Sequence, residues 1–218
     1  MTSTWLLALF ILVAIYPSLF LREYVRAFTA HKLGDPTPKL WGLLRLDPKA
    51  YVDTFGSVIL PGLIVLLLGA GLRVPPFAYA KPLPLDPNYL RNPRRDTVII
   101  SAVGPLSNLA IALGAGVILR LTTPTGSPFY LVYAFLYVNL TFFVFNLMPI
   151  PGLDGARMLS LVLSPRVRMV FLNLEQYLIL FILVIYFLLG GLFLNIVTAL
   201  SRVTCEVVAG PGPCKLFQ

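Results

Sequence analysis

The sequence predicts an all-α polytopic membrane protein with about four to five transmembrane helices. Of its 218 residues, 58% are hydrophobic and only 12% are charged, with a mean hydropathy of +0.85. Soluble globular domains carry about a quarter charged residues. Uncharged apolar runs also recur, each near the roughly 20 residues that a helix needs to cross a bilayer. These runs are Trp5–Leu21, Phe55–Leu72, Val98–Leu119, Phe129–Met148 and Tyr177–Leu200.

The first run, Trp5–Leu21, is expected to stay in the protein as a transmembrane helix. No Lys or Arg precedes it, and no small-x-small cleavage site follows it. A secretory signal peptide carries both features. The run therefore lacks the features of a cleaved signal peptide.

The second run, Phe55–Leu72, is interrupted by several Gly and Pro residues, and positive charge decides how it lies. If it enters the membrane and returns, all of the 17 Lys and Arg residues except Arg120, Arg202 and Lys215 share one side. A complete crossing divides them almost evenly. Because cytoplasmic loops carry an excess of Lys and Arg, we predict a re-entrant hairpin over residues 55–72.

This topology places the charged loops in the cytoplasm and both the N-terminus and the C-terminal tail outside, in a plasma membrane of the bacterial type. The domain organisation that follows is a membrane core over 1–168, a C-terminal transmembrane helix over 169–204 and a short tail over 205–218. Cys205 and Cys214 then meet oxidising conditions. A disulfide between them and two unpaired thiols both remain open.

The loops give weaker signals. Short alternating pieces in Lys39–Asp53 predict a small interfacial β element. Prolines in Phe77–Asn92 predict an extended segment. The net charge of +8 fits loops that face an anionic leaflet, so the lipid bilayer, and no nucleic acid, is the expected partner.

Polar side chains inside apolar helices are costly and mark candidate sites. Here they are Arg22, Glu23, Arg26, Asn108, Asn139, Asn146, Asp154 and Glu175. The alternatives are structural: the arginines could reach the headgroups at the end of the helix, and the asparagines could bridge helices.

Two of these clusters carry a motif. Arg22-Glu23-Tyr24-Val25-Arg26 continues the first helix, and the stretch from Asn146 to Gly155 reads N-x-x-P-x-P-x-L-D-G. Together with Gly104-Pro105-Leu106-Ser107-Asn108, in this order, they resemble the site-2 protease family of intramembrane zinc metalloproteases, in its compact form without a PDZ domain. The resemblance covers about residues 5–160.

The resemblance implies a function for each matched position. Glu23 matches the general base and Asp154 the third zinc ligand, but Arg22 and Arg26 occupy the two histidine positions, and Tyr51 occupies that of a further histidine. A guanidinium stays protonated and offers no lone pair to a metal. We therefore expect no zinc, a vestigial Glu23 and an ion pair that joins the arginines to Asp154.

The single histidine, His31, does not replace the lost ligands. It lies nine residues beyond Arg22 and therefore about 180° round the helix from Arg22 and Arg26. The favoured hypothesis is a catalytically inactive member of the family that is an accessory subunit of a membrane complex or binds transmembrane segments. An active metalloprotease with a non-standard site and a small transporter or anion-binding protein are the alternatives.

Overall fold

The computed structural model describes residues 2–72, 74–122, 124–159, 162–177 and 195–214. Within these ranges the regular structure is helical and contains no strand. The α-helices are α1 (Thr2–Lys32), α2 (Thr37–Leu40), α3 (Leu60–Gly69), α4 (Pro93–Thr122), α5 (Ser127–Asn146), α6 (Asp154–Met158), α7 (Pro165–Leu174), α8 (residues 195–209) and α9 (Pro211–Cys214). The all-α fold class is confirmed.

The long helices α1, α4 and α5 form the centre of the molecule, and each is apolar and long enough to cross a membrane. Ile11 and Ile15 of α1 pack against Val138 of α5 in a buried apolar cluster. In the same interface the Asn139 amide donates to the Ser18 hydroxyl at 2.8 Å. These helices make the chain an integral membrane protein.

The two ends of the segment that contains α3 lie side by side, and the re-entrant path itself stays a prediction. The segment begins with a π-helical turn, Thr54–Ile59, that runs directly into α3, and the two form one apolar helix, Thr54–Gly69. This helix is shorter than the roughly 20 residues that a crossing needs. The chain beyond α3 then returns to its entry point. The Tyr79 N–H donates to the Gly56 carbonyl at 3.1 Å, and the Lys81 N–H donates to the Tyr51 carbonyl at 2.9 Å.

The β element predicted within Lys39–Asp53 is wrong. The structure has turns there, followed by a 3-10 helix at Pro48–Tyr51. Gly42 adopts a positive φ of 73° that breaks the extended backbone. The Asp47 side chain accepts the Lys49 N–H at 3.0 Å, which caps the 3-10 helix at its start. These local turn signals outweigh a short alternating pattern.

The predicted C-terminal transmembrane run, Tyr177–Leu200, lies largely in residues 178–194, outside the described ranges. Helix α8 continues through residue 209, and Gly210, with φ at 82°, turns the chain into α9. Val208 packs so closely on α4 that a Cβ at Gly116 would overlap it. The domain boundaries and the side of the membrane that each terminus faces stay predictions.

Candidate functional site

Three charged residues lie on the inward face of α1. Arg22 and Arg26 are four residues apart and so share one face of the helix. Only 8% and 5% of their surfaces are exposed, and Glu23 between them is buried as well. Since these guanidiniums do not reach the surface, the alternative in which both extend to the headgroups is excluded.

A tight turn brings Asp154 to the same place. Helix α5 ends at Asn146, the chain reverses through Gly152, whose φ is 92°, and Asp154 opens α6. Gly155 packs directly on the Leu147 carbonyl, where a Cβ would overlap. The carboxylate of Asp154 is 2% exposed and lies beside α1.

The four charged side chains form a closed set of ion pairs, here called the ionic ring: Arg22, Glu23, Arg26 and Asp154. Arg22 contacts Glu23 through Nη1, and its Nη2 lies 2.5 Å from Asp154 Oδ2. Arg26 lies 2.8 Å from Glu23 Oε2 and 3.2 Å from Asp154 Oδ1. Each guanidinium therefore contacts both carboxylates. Asn146 adds an acceptor, since its Oδ1 receives a hydrogen bond from Arg22 Nη2 at 2.8 Å.

Helix α4 covers the ionic ring with a glycine. A Cβ at Gly104 would lie 2.9 Å from Arg26 Cδ and 3.2 Å from Asp154 Oδ2. Only a residue without a side chain lets α4 approach this closely. The ring is thus enclosed by α1, α4 and α6.

The charges of the ring hold Asp154 in its ionised form. Burial alone would raise the pKa of the Asp154 carboxyl, but the positive charges of Arg26 and Arg22 outweigh it and hold that pKa below its usual range. The carboxylate therefore stays negative at neutral pH.

A further ion pair lies next to the ring, between Arg157 of α6 and Glu175. Burial, together with the positive charge of Arg26, lowers the pKa of Arg157 to about 10, so it remains a cation at neutral pH. Sequence reasoning selected Glu175 but not its partner Arg157. The two residues lie in different helical segments, and no local sequence pattern pairs them.

Known proteins resemble this chain over most of its length. The sequence model described as "Peptidase family M50" matches residues 122–189. The protein named "Putative zinc metalloprotease YwhC" of Bacillus subtilis is 30% identical over 177 residues, which cover 77% of this chain and 75% of that protein. The chain belongs to peptidase family M50, the site-2 protease family.

Other members of the M50 family show a similar likeness. "Putative zinc metalloprotease Rip2" of Mycobacterium tuberculosis is 35% identical over 187 residues, covering 83% of this chain and 68% of the relative. The Rip2 of Mycolicibacterium smegmatis is 34% identical over 168 residues, covering 73% and 60%. None of the solved structures matches the chain significantly.

The residues at the M50 zinc position do not fit zinc. Zinc is bound by imidazole, thiolate or carboxylate, and Arg22 and Arg26 offer none of these. The remaining carboxylates, Glu23 and Asp154, already accept both guanidiniums. Within the described part of the chain, no group of three or more His, Cys, Asp or Glu side chains is placed to hold a metal ion.

Tyr51, which the motif resemblance alone matches to a further family histidine, is buried and fills a structural position. Its hydroxyl donates to the Leu43 carbonyl. Burial and the negative charge of Glu23 raise the pKa of Tyr51, so its hydroxyl keeps its proton. Tyr51 therefore holds the loop before α3 against the core.

The remaining candidate residues lie near opposite ends of the helical bundle, with Asn108 close to the ionic ring and the two cysteines at the far end. Asn108 lies one turn beyond Gly104 and is fully buried, and its amide has no hydrogen-bond partner among the residues that the structure describes. Cys205 and Cys214 form a disulfide with their Cα atoms 5.8 Å apart. They pack with Leu119, near the other end of α4, about 22 Å along that helix from Gly104.

Proposed function

We propose that this chain is a catalytically inactive member of the M50 family that binds transmembrane segments or serves as a structural subunit of a membrane assembly. The observation that supports the proposal is the ionic ring. Its arginines lie at the positions where the family places its zinc-binding histidines, and they engage both remaining acidic groups.

Hydrolysis by a zinc peptidase needs two groups that the ring does not provide. A metal ion must lower the pKa of a bound water, and a carboxylate must be free to accept its proton. Glu23, at the position of the base, contacts both Arg22 and Arg26. A carboxylate that already pairs with two cations is not free to take that proton, so the ring offers neither a suitable zinc site nor a free base.

The ring also supplies a structural reason to keep the acidic residues. It connects α1 to α6, two segments that a shared metal joins in the resembled enzymes. Removing one partner of a buried pair leaves an uncompensated charge, whereas the complete set is compensated. Glu23 and Asp154 are therefore retained for packing rather than for catalysis.

The test measures metal content and cleavage on the purified, membrane-reconstituted chain. Wild-type protein is expected to hold far less than about one zinc per chain and to leave a reporter transmembrane substrate intact. The Arg22→His, Arg26→His double variant restores two imidazoles and is expected to gain zinc. Zinc in the wild type at about one per chain, lost in Asp154→Ala, would overturn the proposal.

An active metalloprotease is the second candidate, because the relatives are named zinc metalloproteases. It requires the wild type to cleave the reporter, and a chelator to abolish the cleavage. The anion-transport alternative has less support, since Arg22 and Arg26 are both paired. Anion flux into vesicles that contain the purified chain would favour it.

The binding role has its own measurement. Gentle extraction from native membranes, with the chain tagged, is expected to recover other membrane proteins in fixed stoichiometry. Recovery of the chain alone, with full folding retained, would count against a subunit role without bearing on catalytic inactivity.

A further inference from the structure

We propose that the segment Lys39–Lys49, here called the anchor segment, docks on anionic phospholipid headgroups and inserts its apolar side chains among them. The proposal is independent of whether the chain cleaves a substrate. It assigns a lipid-binding surface to a loop that the ionic ring does not involve.

The first observation is the exposure of three large apolar side chains. Leu40, Trp41 and Leu46 are 79%, 70% and 75% exposed. On the outer face of the membrane-spanning helix α1, by comparison, Trp5 and Leu9 are 43% and 52% exposed. The anchor segment thus presents its apolar groups more fully than a helix face that lipid covers, and none of the described residues buries them.

The second observation is that the segment is held in place by its surroundings. Leu43 at its centre is buried, and its carbonyl accepts the Tyr51 hydroxyl. Before the segment, the buried Asp35 carboxylate accepts the Thr37 N–H at 2.8 Å and the Asp86 N–H at 2.9 Å. With both sides fixed, the apolar side chains are held outward before any partner binds.

The third observation is location. The anchor segment lies between α1, which can span the membrane, and the re-entrant segment that starts at Thr54. In the predicted re-entrant topology both neighbours enter the hydrocarbon, which places the loop between them at the membrane interface. Phe55 and Val58, at the start of the segment that follows, are also exposed, at 47% and 48%. Tryptophan at such an interface sits at the headgroup level.

Charge identifies the kind of lipid. Lys39, Arg45 and Lys49 are exposed and alternate with the apolar residues. The one acidic residue of the segment, Asp47, accepts the backbone N–H of Lys49. Basic side chains beside apolar ones fit a surface with anionic phosphates above and acyl chains below.

Trp41 supplies the readout. The chain has two tryptophans, so Trp5→Phe leaves Trp41 as the sole indole. This variant is reconstituted in equal mixtures of phosphatidylglycerol and phosphatidylcholine, with one lipid or the other brominated on its acyl chains. We expect brominated lipid to quench Trp41, and brominated phosphatidylglycerol to do so with a preference of about fivefold at low salt. High salt should reduce the preference towards equality.

The charge component is tested by matched variants. Replacing Lys39, Arg45 and Lys49 by Gln is expected to remove the preference for phosphatidylglycerol. The control replaces three other exposed basic residues, Arg91, Arg94 and Arg95, and is expected to keep it at the same change of net charge.

Three results would overturn the proposal. Acrylamide could quench Trp41 freely while brominated lipid does not, which would leave the loop in water. Trp41 could be shielded from both quenchers, which would indicate cover by a second copy of the chain. The two brominated lipids could also quench equally at low salt, which would remove the anionic selectivity.

Discussion

The two ends of the helical bundle are held by different chemistry. At one end, the ionic ring joins α1 to α6 by charges that are all buried. At the other, Cys205 and Cys214 lie in an apolar cluster with Leu119 and Tyr133. An apolar contact that is deleted leaves its neighbours neutral, while a deleted charge leaves its partners charged and buried. Single substitutions should therefore lower the free energy of unfolding more at the ring than at the disulfide.

The ends also differ in what they connect. The ring links segments 132 residues apart in sequence, since Arg22 meets Asp154. The disulfide closes a separation of only nine residues. The attachment of α8 to α4 rests on packing and on a hydrogen bond from Arg120 to the Val207 carbonyl at 3.3 Å. Loss of the ring should loosen the core, and loss of the disulfide should loosen only α8 and α9.

The largest effect is expected from Asp154→Ala. It leaves Arg22 and Arg26 with a single carboxylate between them, and an uncompensated buried charge costs about 3–5 kcal/mol. The free energy of unfolding of the reconstituted protein measures this loss.

The matched control for that variant is Glu206→Ala. Glu206 pairs with Arg202 at 3.0 Å, but both side chains are more than 40% exposed. Exposed pairs of this kind contribute about 0.5 kcal/mol or less. Equal losses in the two variants would show that the ring is no more than an ordinary surface contact.

Removal of the disulfide by Cys205→Ser with Cys214→Ser should cost about 2–3 kcal/mol, because the closed loop is short. Hydrogen exchange should rise in α8 and α9 and remain unchanged around Arg22. Faster exchange near the ring would contradict the independence of the two ends.

Gly104→Ala tests how tightly α4 covers the ring, and we expect a loss of about 1–3 kcal/mol from overpacking. Gly114 lies on the same helix, and a Cβ added there would meet nothing within 4 Å. Gly114→Ala should therefore stabilise the helix by about 0.5–1 kcal/mol. The free energy of unfolding of each variant measures these effects, and a stabilising effect of Gly104→Ala would refute the close approach of α4 to the ring.

The smallest effect among the buried contacts is expected midway between the ends, where Asn139 donates to Ser18. A double-mutant cycle with Asn139→Ala and Ser18→Ala should give a coupling energy of about 0.6 kcal/mol, typical of interhelical hydrogen bonds in membranes. A coupling energy as large as the loss expected for Asp154→Ala would mean that polar contacts stabilise all parts of the bundle equally.

Sequence alone predicted the three long apolar helices α1, α4 and α5, because apolar length is a property of each segment. It failed in Lys39–Asp53, where Gly42 and the capped Pro48 turn override an alternating pattern. It also missed the partner of Glu175, since no local pattern reports that Arg157 lies across from it. The meeting of Arg22 with Asp154 was expected only through the family motifs, because periodicity carries no information over 132 residues.

The ionic ring contains two positive and two negative groups, so its charges sum to zero. A zinc site on the same positions would also sum to zero, since a dication with two neutral imidazoles faces the same two carboxylates. With only one arginine replaced by histidine, the pocket without metal balances its charge when the imidazole takes up a proton beside the two carboxylates. Zinc in that pocket would displace the proton and leave one positive charge in excess, and buried excess charge is costly. A single replacement of arginine by histidine therefore favours a proton over the metal, and rebuilding a metal site requires both arginines to change together.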